Sequence, residues 1–118
     1  MDPYRRQLTD LKIEKLLKVI NLLRLYDREI PAQVIATLLY VGSHNECHKQ
    51  ALEEELNFTT ASSSRNTDWL SKQHRLNKPG LNLITKEVDQ TNKRRQLLTL
   101  TKKGEDLMKQ IKEILYDS

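Results

Sequence analysis

The feature that most constrains the fold is a change of texture near residue 77. Up to Leu76 the apolar residues recur at helical spacing. Asn77-Lys78-Pro79-Gly80 is then a turn cluster. Two strand-like stretches follow, about 81–88 and 95–100, around the polar, basic run Asp89-Gln90-Thr91-Asn92-Lys93-Arg94-Arg95. Two strands around such a loop predict a hairpin with a charged tip. Thr101 caps a last helix, about 102–116, with Leu107, Met108, Ile111, Ile114 and Leu115 apolar.

Four helices are predicted before the hairpin, at about 3–26, 31–41, 47–56 and 59–75. Asp2-Pro3 suits the start of the first. Its apolar residues cover so wide an arc that it must be covered on more than one side. Leu16, Ile20 and Leu23 share one face, while Leu8, Leu11, Val19, Leu22 and Tyr26 fall on another. One face is expected to pack on the body and one on a second copy. Pro31 opens the second helix and Gly42 is its natural C-cap. The third helix is short. Asn57-Phe58 is a tight turn, and Thr59 or Thr60 caps the fourth helix. Short helix, tight turn and longer polar helix are the order of a helix-turn-helix. With the hairpin behind it, the expected fold is mainly α with a small β-hairpin: one winged helix-turn-helix domain over 1–118.

The 118 residues carry a net charge of +4, and the excess is local. Residues 1–58 hold 8 basic and 9 acidic side chains, net −1, and residues 59–95 hold 8 and 3, net +5. A localised basic segment is the footprint of a polyanion binder. No apolar run is long enough for a membrane span. The single cysteine excludes a disulfide framework and fits a reducing, cytoplasmic setting.

The stretch Ser62-Ser63-Ser64-Arg65, then Asp68 and Leu70, resembles the recognition helix of the MarR family of bacterial transcription regulators. Asp89-Gln90-Thr91-Asn92-Lys93-Arg94 is similar to that family's wing. The strand-to-helix signature Leu100-Thr101-x-x-Gly104 is the most specific piece. The clear similarity covers residues 52–104. Ser63, Asn66 and Thr67 stand where the family usually has apolar residues. Thr91 and Asn92 replace an arginine and an aspartate of its wing. The chain is closer in length to the short staphylococcal accessory-regulator type.

The resemblance implies a homodimeric, sequence-specific regulator on double-stranded DNA. An α-helix fits the major groove and shows side chains to base edges. Thr59, Thr60, Ser62, Ser63, Ser64 and Arg65 are the candidates there, with Arg65 suited to guanine O6 and N7. Lys72 and Arg75 are expected on phosphates. Lys93, Arg94 and Arg95 form the wing tip. Arg94 holds the place of the family's final wing arginine and is expected in a narrow minor groove. Leu16, Ile20, Leu23, Ile111, Ile114 and Leu115 are the candidate dimer contacts.

Other chemistry is weaker. His44, Cys47 and His48 form a His-x-x-Cys-His cluster, but only His74 could extend it towards a closed ligand set, so no metal or cofactor is expected. No nucleophile elbow, P-loop or dinucleotide fingerprint occurs, so the chain reads as a non-enzyme. A small-molecule effector ranks below an effector-free regulator, because aromatics are only 5% of the chain. The alternative function is a winged-helix protein-interaction module without specific DNA binding.

Overall fold

The computed structural model describes residues 7–72 and 78–116. The elements run α1 (Leu11–Arg24), α2 (Ala32–Ser43), β1 (Cys47–His48), α3 (Gln50–Glu55), α4 (Thr60–Leu70), β2 (Ile84–Val88), β3 (Gln96–Leu100) and α5 (Lys102–Tyr116). All five expected helices and the expected hairpin are present. The strands form an antiparallel sheet in the order β1-β3-β2. Ile84 faces Leu100 and Val88 faces Gln96 across the hairpin.

The boundaries differ from the sequence reading for local reasons. The start expected at Asp2-Pro3 lies outside the described residues. The described helix begins at Leu11, where the Asp10 carboxylate accepts from the amides of Lys12 and Ile13. Residues 47–49 do not open a helix. Cys47 and His48 pair with Leu98 and Leu97, and the Lys49 amide donates to the Gln96 carbonyl at 2.8 Å. Their backbone is committed to the free edge of β3, so α3 starts only at Gln50. Likewise, β2 starts at Ile84 rather than residue 81. The amides of Leu81, Asn82 and Leu83 donate to the carbonyls of Trp69, Ser71 and Leu70 at the end of α4. Asn82 is left-handed, with φ 56°, which no strand residue adopts. Gly42 is not a cap. It lies inside α2, where a Cβ would strike the Met108 sulfur, so it lets α2 and α5 approach closely.

The turn between α3 and α4 is as expected, with Asn57 left-handed at φ 58°. Thr59 caps α4 by accepting from the Ser62 amide at 3.0 Å. Thr101 does the same for α5, accepting from the Gly104 amide at 3.0 Å. Leu23, Val34, Leu38, Leu52, Leu70, Leu83, Ile84, Leu98 and Leu107 build one core through all the helices and the sheet. Leu23 and Ile111, expected at a dimer contact, are buried in it instead. Leu23 lies one turn beyond Val19, so that stripe of α1 is the one taken by the body.

The α2–α4 interface is unusual in being partly polar. Thr37, Ser63, Asn66 and Thr67 are all buried. The Asn66 amide donates to Gln33 Oε1 at 3.1 Å, and Thr67 Oγ1 to the Ser63 carbonyl at 2.8 Å. Among the described residues the Ser63 hydroxyl alone is buried without a partner.

Candidate nucleic-acid interface

Residue burial divides α4 into an outer and an inner face. Ala61 and Arg65 are exposed, one turn apart, and Thr59 and Thr60 lie exposed at the helix start. Ser62 and Ser64 are half-buried at its edges. Ser63 points inward and is fully buried. Its expected place on the outer face is therefore corrected: one residue on from Ser62 is a rotation of about 100°, which turns the side chain to α2.

The outer residues are already partly ordered. Arg65 donates to Ser62 Oγ at 3.1 Å, and Ser62 Oγ also accepts from Thr59 Oγ1 at 3.0 Å. Thr60 Oγ1 donates to Glu53 Oε1 at 2.6 Å, tying α4 to α3. Arg65 makes no ion pair among the described residues. Its guanidinium keeps donors free for a fork to a base edge.

Two lysines hold the side of α4 that faces the sheet. Lys49 Nζ donates to Ser64 Oγ at 2.7 Å. One turn further, Lys86 Nζ of β2 pairs with Asp68 Oδ1 at 2.7 Å. Burial, and then the like charge of Lys86, push the Lys49 ammonium below its ordinary pKa. Sequence reasoning did not single out Lys49 or Lys86. The only available signal was Lys49 standing immediately before a short helix.

The α4 helix stops at Leu70, so Lys72 is exposed just past its end. It borders a cleft with Asn82, Thr85 and Lys86 of the β2 side. Arg75 lies outside the described residues, as does His74.

The wing tip is a turn, not a continued strand. The Arg95 amide donates to the Asn92 carbonyl at 2.9 Å, with Lys93 and Arg94 between them. Strand alternation therefore does not reach Arg94. Both Arg94 and Arg95 border a cleft against Lys49 and Thr60, while Lys93 is at the apex. Lys93, Arg94 and Arg95 are all exposed.

The base of the wing is pinned by Asp89. Its Oδ1 accepts from the Thr91 amide and hydroxyl at 2.9 and 2.8 Å, and its Oδ2 meets His48 Nε2 at 2.8 Å. The hydrogen bond from His48, then those from Thr91, lower its pKa to about 2. The members of the His-x-x-Cys-His cluster make separate contacts. His48 belongs to Asp89, His44 stacks on Tyr40 with centroids 4.1 Å apart, and Cys47 is half-buried with its thiol pKa raised by that burial.

No family model and no curated protein matches the chain in sequence. Solved structures do match. The crystal structure of MarR superposes with a TM-score of 0.59 at 20% identity, covering 86% of this chain and 74% of its own. Reduced AbfR bound to DNA gives 0.60 at 18% identity, with 89% and 78% covered. The chain has the MarR-type winged-helix fold. The heme sensor protein PefR from Streptococcus agalactiae, in complex with heme, gives 0.60 at 20%, with 87% and 67% covered. The DNA and the heme belong to those proteins. In the present chain α4 is the second helix of the helix-turn-helix and the β2–β3 hairpin stands in the place of the wing. No described helix is long and apolar enough to cross a membrane.

Proposed function

We propose that the chain is a homodimeric regulator of transcription that binds specific double-stranded DNA sequences. The recognition helix enters the major groove and the wing enters the adjacent minor groove. The observation that carries this reading is the set of exposed cations on α4 and the wing that have no ion-pair partner. Arg65, Lys93, Arg94 and Arg95 are exposed and make no ion pair among the described residues. Two of the three acids of the basic segment are spent internally, Asp68 on Lys86 and Asp89 on His48. With Glu87 the one exposed acid of the segment, what remains facing solvent on helix and wing is predominantly cationic, as a polyanion requires.

In this reading Arg65 takes a guanine, and Thr59, Thr60, Ser62 and Ser64 contact nearby backbone or bases. Lys72, Arg75, Lys93 and Arg95 neutralise phosphates. Arg94 enters the minor groove, where a weakly hydrated guanidinium loses less than an ammonium would. Dimerisation uses the outer stripe of α1. Ile13, Leu16 and Leu17 are 64, 55 and 52% exposed, with Ile20 beside them and Leu115 and Tyr116 at the end of α5. Such a contiguous apolar stripe needs a cover. A two-fold axis there would set two recognition helices about one DNA turn, roughly 34 Å, apart.

The test is selection of bound sequences from a random duplex pool, followed by salt titration of the winners. A two-fold-related motif whose affinity falls steeply with salt supports the reading. No enriched motif and a flat salt response would leave the protein-interaction module as the better account.

A further inference from the structure

We propose that the cleft between α3, α4 and the wing tip seats one DNA backbone phosphate, held jointly by Lys49 and Arg95. This rests on the DNA-binding reading above and adds a residue and a site to it.

The cleft has a volume of about 380 Å³ and is bordered by Lys49, Thr60, Asn92, Arg94 and Arg95, with Glu53 as its one acid. Glu53 is engaged by the Thr60 hydroxyl at 2.6 Å. Among the described residues no carboxylate lies within ion-pair range of Lys49, Arg94 or Arg95. Lys49 is the notable one. It is half-buried, its only described side-chain bond is to Ser64, and an ammonium has three donors. A partly desolvated cation with spare donors, no ion-pair partner and only the more distant carboxylates of Glu53 and Asp68 to offset it is costly in the free protein. An anion seated beside it removes that cost.

Groove geometry says which anion. A single sugar–phosphate strand is the wall between a major groove and the adjacent minor groove. A protein with a helix in one and a wing in the other must straddle that wall. The space between helix and wing is the cleft, so the strand's phosphate arrives where Lys49 and Arg95 converge. Lys49 thus acts twice: through Ser64 it steadies α4, and through its free donors it takes the phosphate.

The experiment is binding of the selected duplex and of a random duplex at several salt concentrations, with Lys49→Met, Arg95→Ala, the double variant and Ser64→Ala. One phosphate contributes a slope of about 0.9 in log affinity against log salt, which is about eightfold in affinity at 0.1 M. The double variant should lower the slope by about 0.9 and weaken both duplexes alike. Each single variant should lower it by less, because the other cation remains on the same phosphate. Ser64→Ala should leave the slope unchanged, since the charge stays. Lys49→Gln serves if the Met variant does not fold by circular dichroism.

A double variant whose slope matches that of Arg95→Ala alone, whatever its affinity, would make Lys49 only a positioning residue for Ser64 and overturn the seat. A double-variant loss near 1.8 would mean two separate phosphates and overturn it equally. Displacement of DNA by millimolar inorganic phosphate, at constant ionic strength, from the wild type but not from Lys49→Met would assign the seat to a free phosphate compound instead. Wild-type protein with no salt-dependent affinity for either duplex is a different failure: it removes the DNA-binding reading itself.

Discussion

Replacing Ser63 by alanine should stabilise the protein without touching DNA binding. Ser63 is fully buried, and its hydroxyl has no hydrogen-bond partner. A buried, unsatisfied hydroxyl costs about 1–3 kcal/mol, which the substitution recovers. The space left by one oxygen, roughly 15 Å³, returns about 0.4 kcal/mol of that as a cavity term. Alanine's better helix propensity offsets the loss by about 0.5 kcal/mol. The net expectation is a gain of about 1–3 kcal/mol, or at least about 4 °C in melting temperature for a domain of this size. The assay is denaturant unfolding at fixed protein concentration, since a dimer's stability depends on it. Affinity for the selected duplex should stay within about twofold, because the side chain faces α2. A loss of stability above about 1 kcal/mol would mean that the hydroxyl is bonded, and the inward, orphaned placement of Ser63 would be wrong. A loss of affinity with stability unchanged would return Ser63 to the DNA face.

Four further outcomes are expected. Arg65→Ala should weaken the preferred site by about 1–3 kcal/mol and relax one base position per half-site; equal weakening on random DNA would show that Arg65 holds a phosphate. Asp89, held at about 2, is stabilising while ionised, so its contribution is present above the ordinary carboxyl range and is lost as pH falls towards 2. The protection factor of the Thr91 amide, taken against its intrinsic exchange rate at each pH, should therefore fall on acidification in the wild type, and Asp89→Asn should show reduced protection already at neutral pH. Gly104→Ala places a Cβ on the Leu83 carbonyl and should cost about 1–3 kcal/mol, read from unfolding curves. Leu17→Glu on the outer stripe of α1 should give a monomer by sedimentation at tens of micromolar (about the range that resolves micromolar association), with its circular dichroism retained; an unchanged dimer would put the interface elsewhere.

The parts of the fold legible in the sequence were those written in local chemistry. Thr59, Thr101 and Asn57 act where their side chains and backbone preferences place them. The hairpin was readable because its strands pair with each other. The errors fall where distant backbone groups compete. Cys47 and His48 read as the start of a helix, since nothing local says that β3 offers a free edge 50 residues later. Leu81 and Leu83 read as strand, although their amides belong to the end of α4. The candidate site shows the same division. Arg65 and the wing cations were identifiable by type and spacing. Lys49 was not, because its contact with Ser64 and its place in one cleft with Arg95 join segments far apart in the chain. Ser63 was assigned to the wrong face because a run of four small polar residues carries no apolar stripe to orient it.

That polar run bears on how α4, the proposed recognition helix, is held. An ordinary amphipathic helix is seated by an apolar stripe, and α4 has Leu70 fully buried near its end but Ser63, Asn66 and Thr67 along the rest of the inner face. Area burial alone would leave its first two turns weakly fixed. The deficit is met from outside the core, by directional bonds at both edges. Thr60 to Glu53 and Ser64 to Lys49 hold the start, and Asp68 to Lys86 and Trp69 to Asp27, at 2.7 Å, hold the end. These bonds depend on geometry in a way that an apolar contact does not, so they fix the rotation of the helix about its axis as well as its position. Rotation is what decides whether Arg65 or its neighbours meet a base edge. The Trp69 bond runs to the link between α1 and α2, and Tyr26 in that region also receives Lys103 of α5 over its ring at 5.3 Å. The angle of α4 is thereby tied to the two helices that carry the proposed dimer contact, and a shift between subunits has a short route, through one hydrogen bond and one cation–π contact, to the residues that would read DNA.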